Sequence, residues 1–212
     1  MAALDLQEQE QIDAIKGWWQ ENSKWVLGAV TLAAVSFAAY QFWHNYQLKQ
    51  SAAASTLYGE FSRQLESGDR KRVDDAANAV IDQYGGTAFA PRAQLLAAQT
   101  DLSAGDANAA RGRLQWVIDH ASEDGLKEVA RLKQASILLD EKSYPAALAL
   151  LNMKHAESFD GLYADLRGDV LQAQGDPAGA RGAYQLALSK TDEKAVYRNL
   201  IQMKLDALGG AQ

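Results

Sequence analysis

Residues 164–188 read ADLRGDVLQAQGDPAGARGAYQLAL, with Gly168, then Ala180 twelve positions on, then Tyr184 four beyond. The same interval recurs upstream as Ala98, Ala110, Leu114 and as Ala135, Ala147, Leu151. The units start 37 and 33 residues apart. A period near 34 marks a helix–turn–helix repeat of the tetratricopeptide type. The two small residues belong where helix A crosses helix B closely, and the large one fills the groove toward the next unit. A bulky side chain at either small position would force the pair apart, because interiors are close-packed.

The turn between the helices is spelled twice, as GDANAARG at 105–112 and GDPAGARG at 175–182. Gly105 and Gly175 can take the left-handed conformation that ends helix A. Asp106 and Asp176 then cap the start of helix B, and Pro177 falls where a first helical residue tolerates proline. The phrase is therefore a corner of the fold rather than a ligand motif. From residue 51 onward apolar residues recur at three and four, as in Val196, Leu200 and Met203, and strand alternation is hardly visible. The expected class is all-α, an α-solenoid. The first repeat, near 51–84, keeps Gly68-Asp69 but has Val73 where a small residue is expected. Segment 192–208 is expected to close the stack with a more polar outer face.

Composition bounds the function. The chain has 212 residues, 48% hydrophobic and 23% charged, with a net charge of −6. These values suit a folded protein with one domain and an extra segment. No basic face of the kind that binds nucleic acid stands out. Cysteine is absent, which excludes disulfides, thiol catalysis and thiolate metal sites. His44, His120 and His155 sit near no acidic or histidine partner at ligand spacing. Metalloprotease, phosphate-loop and nucleophile-elbow motifs are missing. The acid pairs Asp74-Asp75 and Glu123-Asp124 read as solvated or dipole-favoured helix ends. No catalytic, metal or cofactor residue is expected, and the chain reads as a non-enzyme. Arg111 and Arg181 recur with the corner phrase and read as solvent-facing residues pairing locally rather than as a peptide clamp. A repeat stack offers a concave binding surface lined by A helices. Register places Arg92, Gln99, Asp165, Asp169 and Gln172 toward it.

Residues 25–43, WVLGAVTLAAVSFAAYQFW, lie in a stretch without charge between Lys24 and Lys49. Nineteen helical residues cover roughly the ~30 Å hydrocarbon core of a bilayer. In lipid the backbone must satisfy its own hydrogen bonds, so a helix is required. The expected anchor comprises Trp25, Leu27, Leu32, Val35, Phe37, Tyr40 and Trp43, with Trp18, Trp19 and Tyr46 adding interfacial rings. A cleaved signal peptide fits poorly, because a 24-residue polar tail with five acids comes first. Charge does not orient the span: Lys16 and Lys24 precede it, Lys49 and Arg63 follow. Ile12, Ile15 and Trp19 share a helical face that could lie along a membrane or a partner. The expected organisation is a polar tail 1–24, span 25–43, juxtamembrane linker 44–50, repeat domain 51–208 and flexible C-terminus 209–212.

Three stretches together resemble the YfgM family, ancillary subunits of the bacterial SecYEG translocon. QIDAIKGWWQENSKWVLGAVTLAAV resembles that family's acidic tail, paired aromatics and single span. YADLRGDVLQAQGDPAGARGAYQLAL resembles its D-L-R-G-[DE] helix followed by G-D-x-x-x-A-R. NLIQMKLDAL resembles its closing helix. The likeness covers nearly the whole chain, with residues 60–130 sharing little beyond the helical pattern. It implies an inner-membrane anchor, a cytoplasmic tail and a periplasmic repeat domain. It also implies association with the translocon and with the membrane-anchored chaperone PpiD, and transfer of newly translocated or unfolded polypeptides to periplasmic chaperones. The residues alone leave two alternatives open. One is a scaffold of another envelope assembly, in cytochrome maturation or outer-membrane building. The other is a membrane-bound regulator acting through residues 1–24.

Overall fold

The computed structural model describes the backbone of residues 2–209 and side chains from residue 10 onward. Every regular element among the described residues is a helix, so the all-α expectation holds. The chain divides into residues 1–50 and 51–212. Helix α1 (Ala2–Ser67) runs through the first unit and supplies the opening helix of the second. Residues 44–50, expected as a linker, are helical and belong to α1.

Among the described residues of the first unit, the large apolar side chains are mostly exposed. Trp25, Leu27, Leu32, Val35, Phe37, Tyr40 and Trp43 are all exposed. An 18-residue window there has a mean hydropathy of 1.5 with none of it buried. Length and composition make this helix a candidate membrane span. Tyr40 stacks on His44 with ring centroids 6.0 Å apart, and Trp43 meets Tyr46 at 6.4 Å.

The second unit alternates A and B helices. After the end of α1 come α2 (Arg70–Tyr84), α3 (Phe89–Ser103), α4 (Ala107–His120), α5 (Asp124–Asp140) and α6 (Tyr144–Leu151). A 3-10 turn (Glu157–Phe159) leads into α7 (Asp160–Gln174), α8 (Pro177–Lys190) and α9 (Arg198–Ala207). Each A-to-B corner turns on one left-handed residue: Gly68, Gly105, Lys142 and Gly175. Gly209 repeats that conformation after α9, so α9 occupies a helix A position; residues 210–212 of the expected flexible terminus lie outside the described residues. At three corners the next amide bonds back five residues, from Asp106, Ser143 and Asp176 to the carbonyls of Asp101, Leu138 and Leu171. This closes the orphan carbonyls of helix A. Asp69, Asp106 and Asp176 then cap helix B by accepting from the backbone amides of Arg72, Ala109 and Gly179.

The core is a series of buried clusters, each shared by an A helix, its B helix and the next A helix. Ala98, Ala110 and Leu114 sit in one, Ala135, Ala147 and Leu151 in the next, and Ala180 and Tyr184 in the last. Gly168 faces Tyr184 so closely that a Cβ there would overlap the ring. The first repeat solves the same packing problem with the sizes inverted. Phe61, Val73 and Ala77 take the three equivalent places, all fully buried. Large–large–small replaces small–small–large, so the bulk moves from the last of the three places to the first two.

Helix α9 departs from the expectation of a polar outer face. Ile201 is buried, and Leu205 and Leu208 pack on the last cluster. Val196, Leu200 and Met203 instead point outward and are exposed.

Candidate functional site

Of the side chains that register places on the A-helix face, Arg92, Gln99, Asp165 and Asp169 meet the next A helix or its cap. Arg92 of α3 grips Glu123, ahead of α5, through two contacts of 2.8 Å, and holds that carboxyl below its ordinary value. Gln99 accepts from Lys133 Nζ at 3.1 Å. Between α5 and α7, Tyr163 Oη donates to buried Glu128 at 2.5 Å. Burial, aided by Glu128, pushes the Tyr163 phenol well above its usual range.

Between α7 and α9, Lys204 Nζ sits 2.9 Å from both oxygens of Asp165 and 2.8 Å from Asp169. Tyr184 Oη lies 2.8 Å from Asp169 and 2.9 Å from Gln172. Burial pushes the Asp165 carboxyl up despite the ammonium beside it. Lys204 also rises: burial opposes its charge, but hydrogen bonds to Asp169 and Asp165 outweigh it. One ammonium serves two carboxylates, so it gains more from the cluster than either acid does. The five register-placed residues thus fall in two groups. Asp165, Asp169 and Gln172 come together around Lys204, whereas Arg92 and Gln99 lie on α3 with partners at α5. Four of the five make ties to the next repeat, and Gln172 accepts from Tyr184 within its own.

The corner arginines are also inter-repeat ties. Arg111 donates to Glu141, at the end of α5, at 2.8 Å. Arg181 donates to the carbonyls of Leu208 and Gly209, at the end of α9, at 2.6 and 2.8 Å. Arg111 and Arg181 therefore each fasten the C-terminal end of the following helix A, where a cation is also favoured by the helix dipole. Arg111 also pairs locally, donating to Asn108 at 2.5 Å, as the sequence reading expects; the partners 30, 27 and 28 positions away are additional to that reading.

Three interactions have no counterpart in the sequence reading. Asp101 of α3 is completely buried and takes Arg70 at 3.1 Å and Arg113 at 2.7 Å. Arg113 also reaches Asp74 at 2.6 Å, so Asp74 is part of this network and not a solvated helix end. An acid on the apolar face of α3, with arginines 31 positions before it and 12 after it, was the available signal. His155 has an acidic partner after all: its Nε2 lies 3.2 Å from Asp160, which also receives Lys190 at 2.9 Å. Lys190 foremost holds the Asp160 carboxyl below its ordinary value. His155 stacks on Tyr163 with centroids 3.9 Å apart. These groups, with Arg167 and Leu186, line a cleft of about 300 Å³ between α7, α8 and the loop before α7.

Exposed positions on the A-helix face include Leu96, Gln99, Ser136 and Gln172. The face is a surface of mixed chemistry held rigid by its own ion pairs, which suits contact with protein.

Residues 16–210 match the tetratricopeptide repeat-like domain family. An "Ancillary SecYEG translocon subunit" from Neisseria gonorrhoeae is 30% identical over 97% of this chain and 99% of its own length. Proteins of the same name from Escherichia coli and Haemophilus influenzae are each 26% identical, over 95% and 97% of this chain and 96% and 100% of their own lengths. The chain belongs to the YfgM family of ancillary SecYEG translocon subunits. No solved structure matches it. Family membership accords with the helical repeat and with the apolar N-terminal helix, the two features that the fold places in separate units.

Proposed function

We propose that this protein is a membrane-anchored accessory of the SecYEG translocon. Helix α1 holds it in the bacterial inner membrane with residues 1–24 in the cytoplasm and the repeat domain in the periplasm. The domain works beside the chaperone PpiD and helps pass newly translocated polypeptides to periplasmic chaperones. Its mechanism is local concentration. A tether raises the effective concentration of a weak binding surface to the millimolar range for short linkers, so no single contact has to be strong. It acts as an adaptor and carries out no reaction. The observation that carries this reading is the near-complete overlap with relatives named as translocon subunits, on a chain whose long N-terminal apolar helix is mostly exposed among the described residues.

Purification of the full chain from membranes in mild detergent, followed by mass spectrometry, tests the assignment. Translocon subunits and PpiD are expected to co-purify. Recovery of haem-ligation or outer-membrane assembly proteins without translocon subunits would overturn it.

A further inference from the structure

We propose that helix α9 pairs, antiparallel and about a two-fold axis, with α9 of a second copy of this chain. The corners put the A helices in a common register. Thirteen and six residues before Gly105 stand Arg92 and Gln99, which reach the next A helix through Glu123 and Lys133. Six before Gly175 stands Asp169, which reaches Lys204 of α9. The same places before Gly209 are Val196 and Met203, with Leu200 between them. The face that earlier A helices use to meet their successor therefore continues on α9, with its polar groups replaced by apolar ones. Among the described residues nothing covers it: Val196 is 94% exposed, Met203 61% and Leu200 49%. The helix A position that is small in three earlier units carries Gln202 in α9, so a helix B is not what this helix is shaped to receive.

The pattern of the stripe selects the occupant. Leu200, Met203 and Ala207 lie within about 60° of each other around α9 at 3.6 residues per turn, and Val196, in the turn two residues ahead of the helix, continues the sequence spacing as four, three and four. That spacing reads the same in both directions. Two copies set antiparallel place each Leu200 against Met203 of the second copy and bring Val196, in the turn ahead of α9, toward Ala207 of the second copy. This is the self-complementarity that a two-fold interface requires. Charge agrees. Lys194, just ahead of α9, comes beside the last turn of the second α9, where Asp206 and the free carbonyl oxygens are negative. Tyr197 falls opposite Asp206 of the second copy, a donor facing an acceptor.

Sedimentation equilibrium of the full chain in detergent tests this. The unaltered chain is expected to be dimeric. Leu200→Glu and Met203→Lys, each at an exposed position, are expected to weaken the dimer at least about tenfold while helix content by circular dichroism is unchanged. An equimolar mixture of the two variants is expected to regain dimers, because Glu at 200 of one copy then faces Lys at 203 of the other. A monomeric unaltered chain, a dimer indifferent to Leu200→Glu, or a mixture that stays monomeric would each overturn the proposal.

Discussion

Gly168 leaves no room for even a methyl group, because a Cβ there would meet the Tyr184 ring. Gly168→Ala is expected to cost about 1–3 kcal/mol by overpacking, measured by urea unfolding. Asp101 poses the opposite problem, a fully buried charge whose neutrality depends on Arg70 and Arg113. Asp101→Ala leaves the nearly buried Arg113 short of an acceptor and is expected to cost about 3–5 kcal/mol. Lys142 holds φ at 60° in a corner where the other units use glycine. Left-handed geometry costs a non-glycine residue roughly 1–2 kcal/mol, against about 0.5–1 kcal/mol for the extra freedom that glycine has when unfolded. Lys142→Gly is thus expected to stabilise by up to about 1 kcal/mol in the same measurement. Glycine at 105 and 175 could be read as left-handed from the sequence, since only glycine does this cheaply. Lys142-Ser143 could not, because nothing in that dipeptide announces the conformation that its neighbours impose.

At the scale of the element, caps and ion pairs decide where helices stop and how they join. Asp106→Ala and Asp176→Ala each remove an amide acceptor at the start of helix B and are expected to cost about 1 kcal/mol. Acid should erode several ties together. The backbone amide of Ala109 with Arg70, then Arg92, then Lys190, hold Asp106, Glu123 and Asp160 respectively below their ordinary values. A lowered folded pKa means that the unfolded chain binds more protons in acid. The stabilisation is therefore full above the ordinary carboxylate range and is lost as pH falls through the folded values. Thermal unfolding should show Glu123→Gln less stable than the unaltered chain near neutral pH, with the gap closing below about pH 4. A gap independent of pH would contradict this. Element positions were legible in the sequence because period, corner and cap agree. The ties were not, since Arg111–Glu141 and Lys204–Asp165 join residues 30 and 39 apart, and only the stacked helices bring them together.

At the scale of the molecule, the repeat domain is quasi-one-dimensional: each buried cluster joins an A helix, its B helix and the next A helix. Such stacks gain stability from neighbour to neighbour. The degenerate first repeat showed only Val73 out of pattern, and the places taken by Phe61 and Ala77 beside it needed the packed structure to be seen. The outward turn of Val196, Leu200 and Met203 was hidden for a different reason. Periodicity reveals an apolar face but not whether a neighbour covers it. The candidate span was plain from composition alone, since no charge interrupts residues 25–48. The central claim joins these scales, a rigid helical surface tethered beside the exit of the translocon. Photoreactive residues placed at the exposed positions 99 and 136 of the full chain, with a secretory protein arrested midway through the translocon, test it most directly. The account predicts crosslinks from both positions to the arrested polypeptide or to PpiD, lost when the span is removed. Crosslinks that persist undiminished without the span, or none from either position while the polypeptide is arrested, would contradict it.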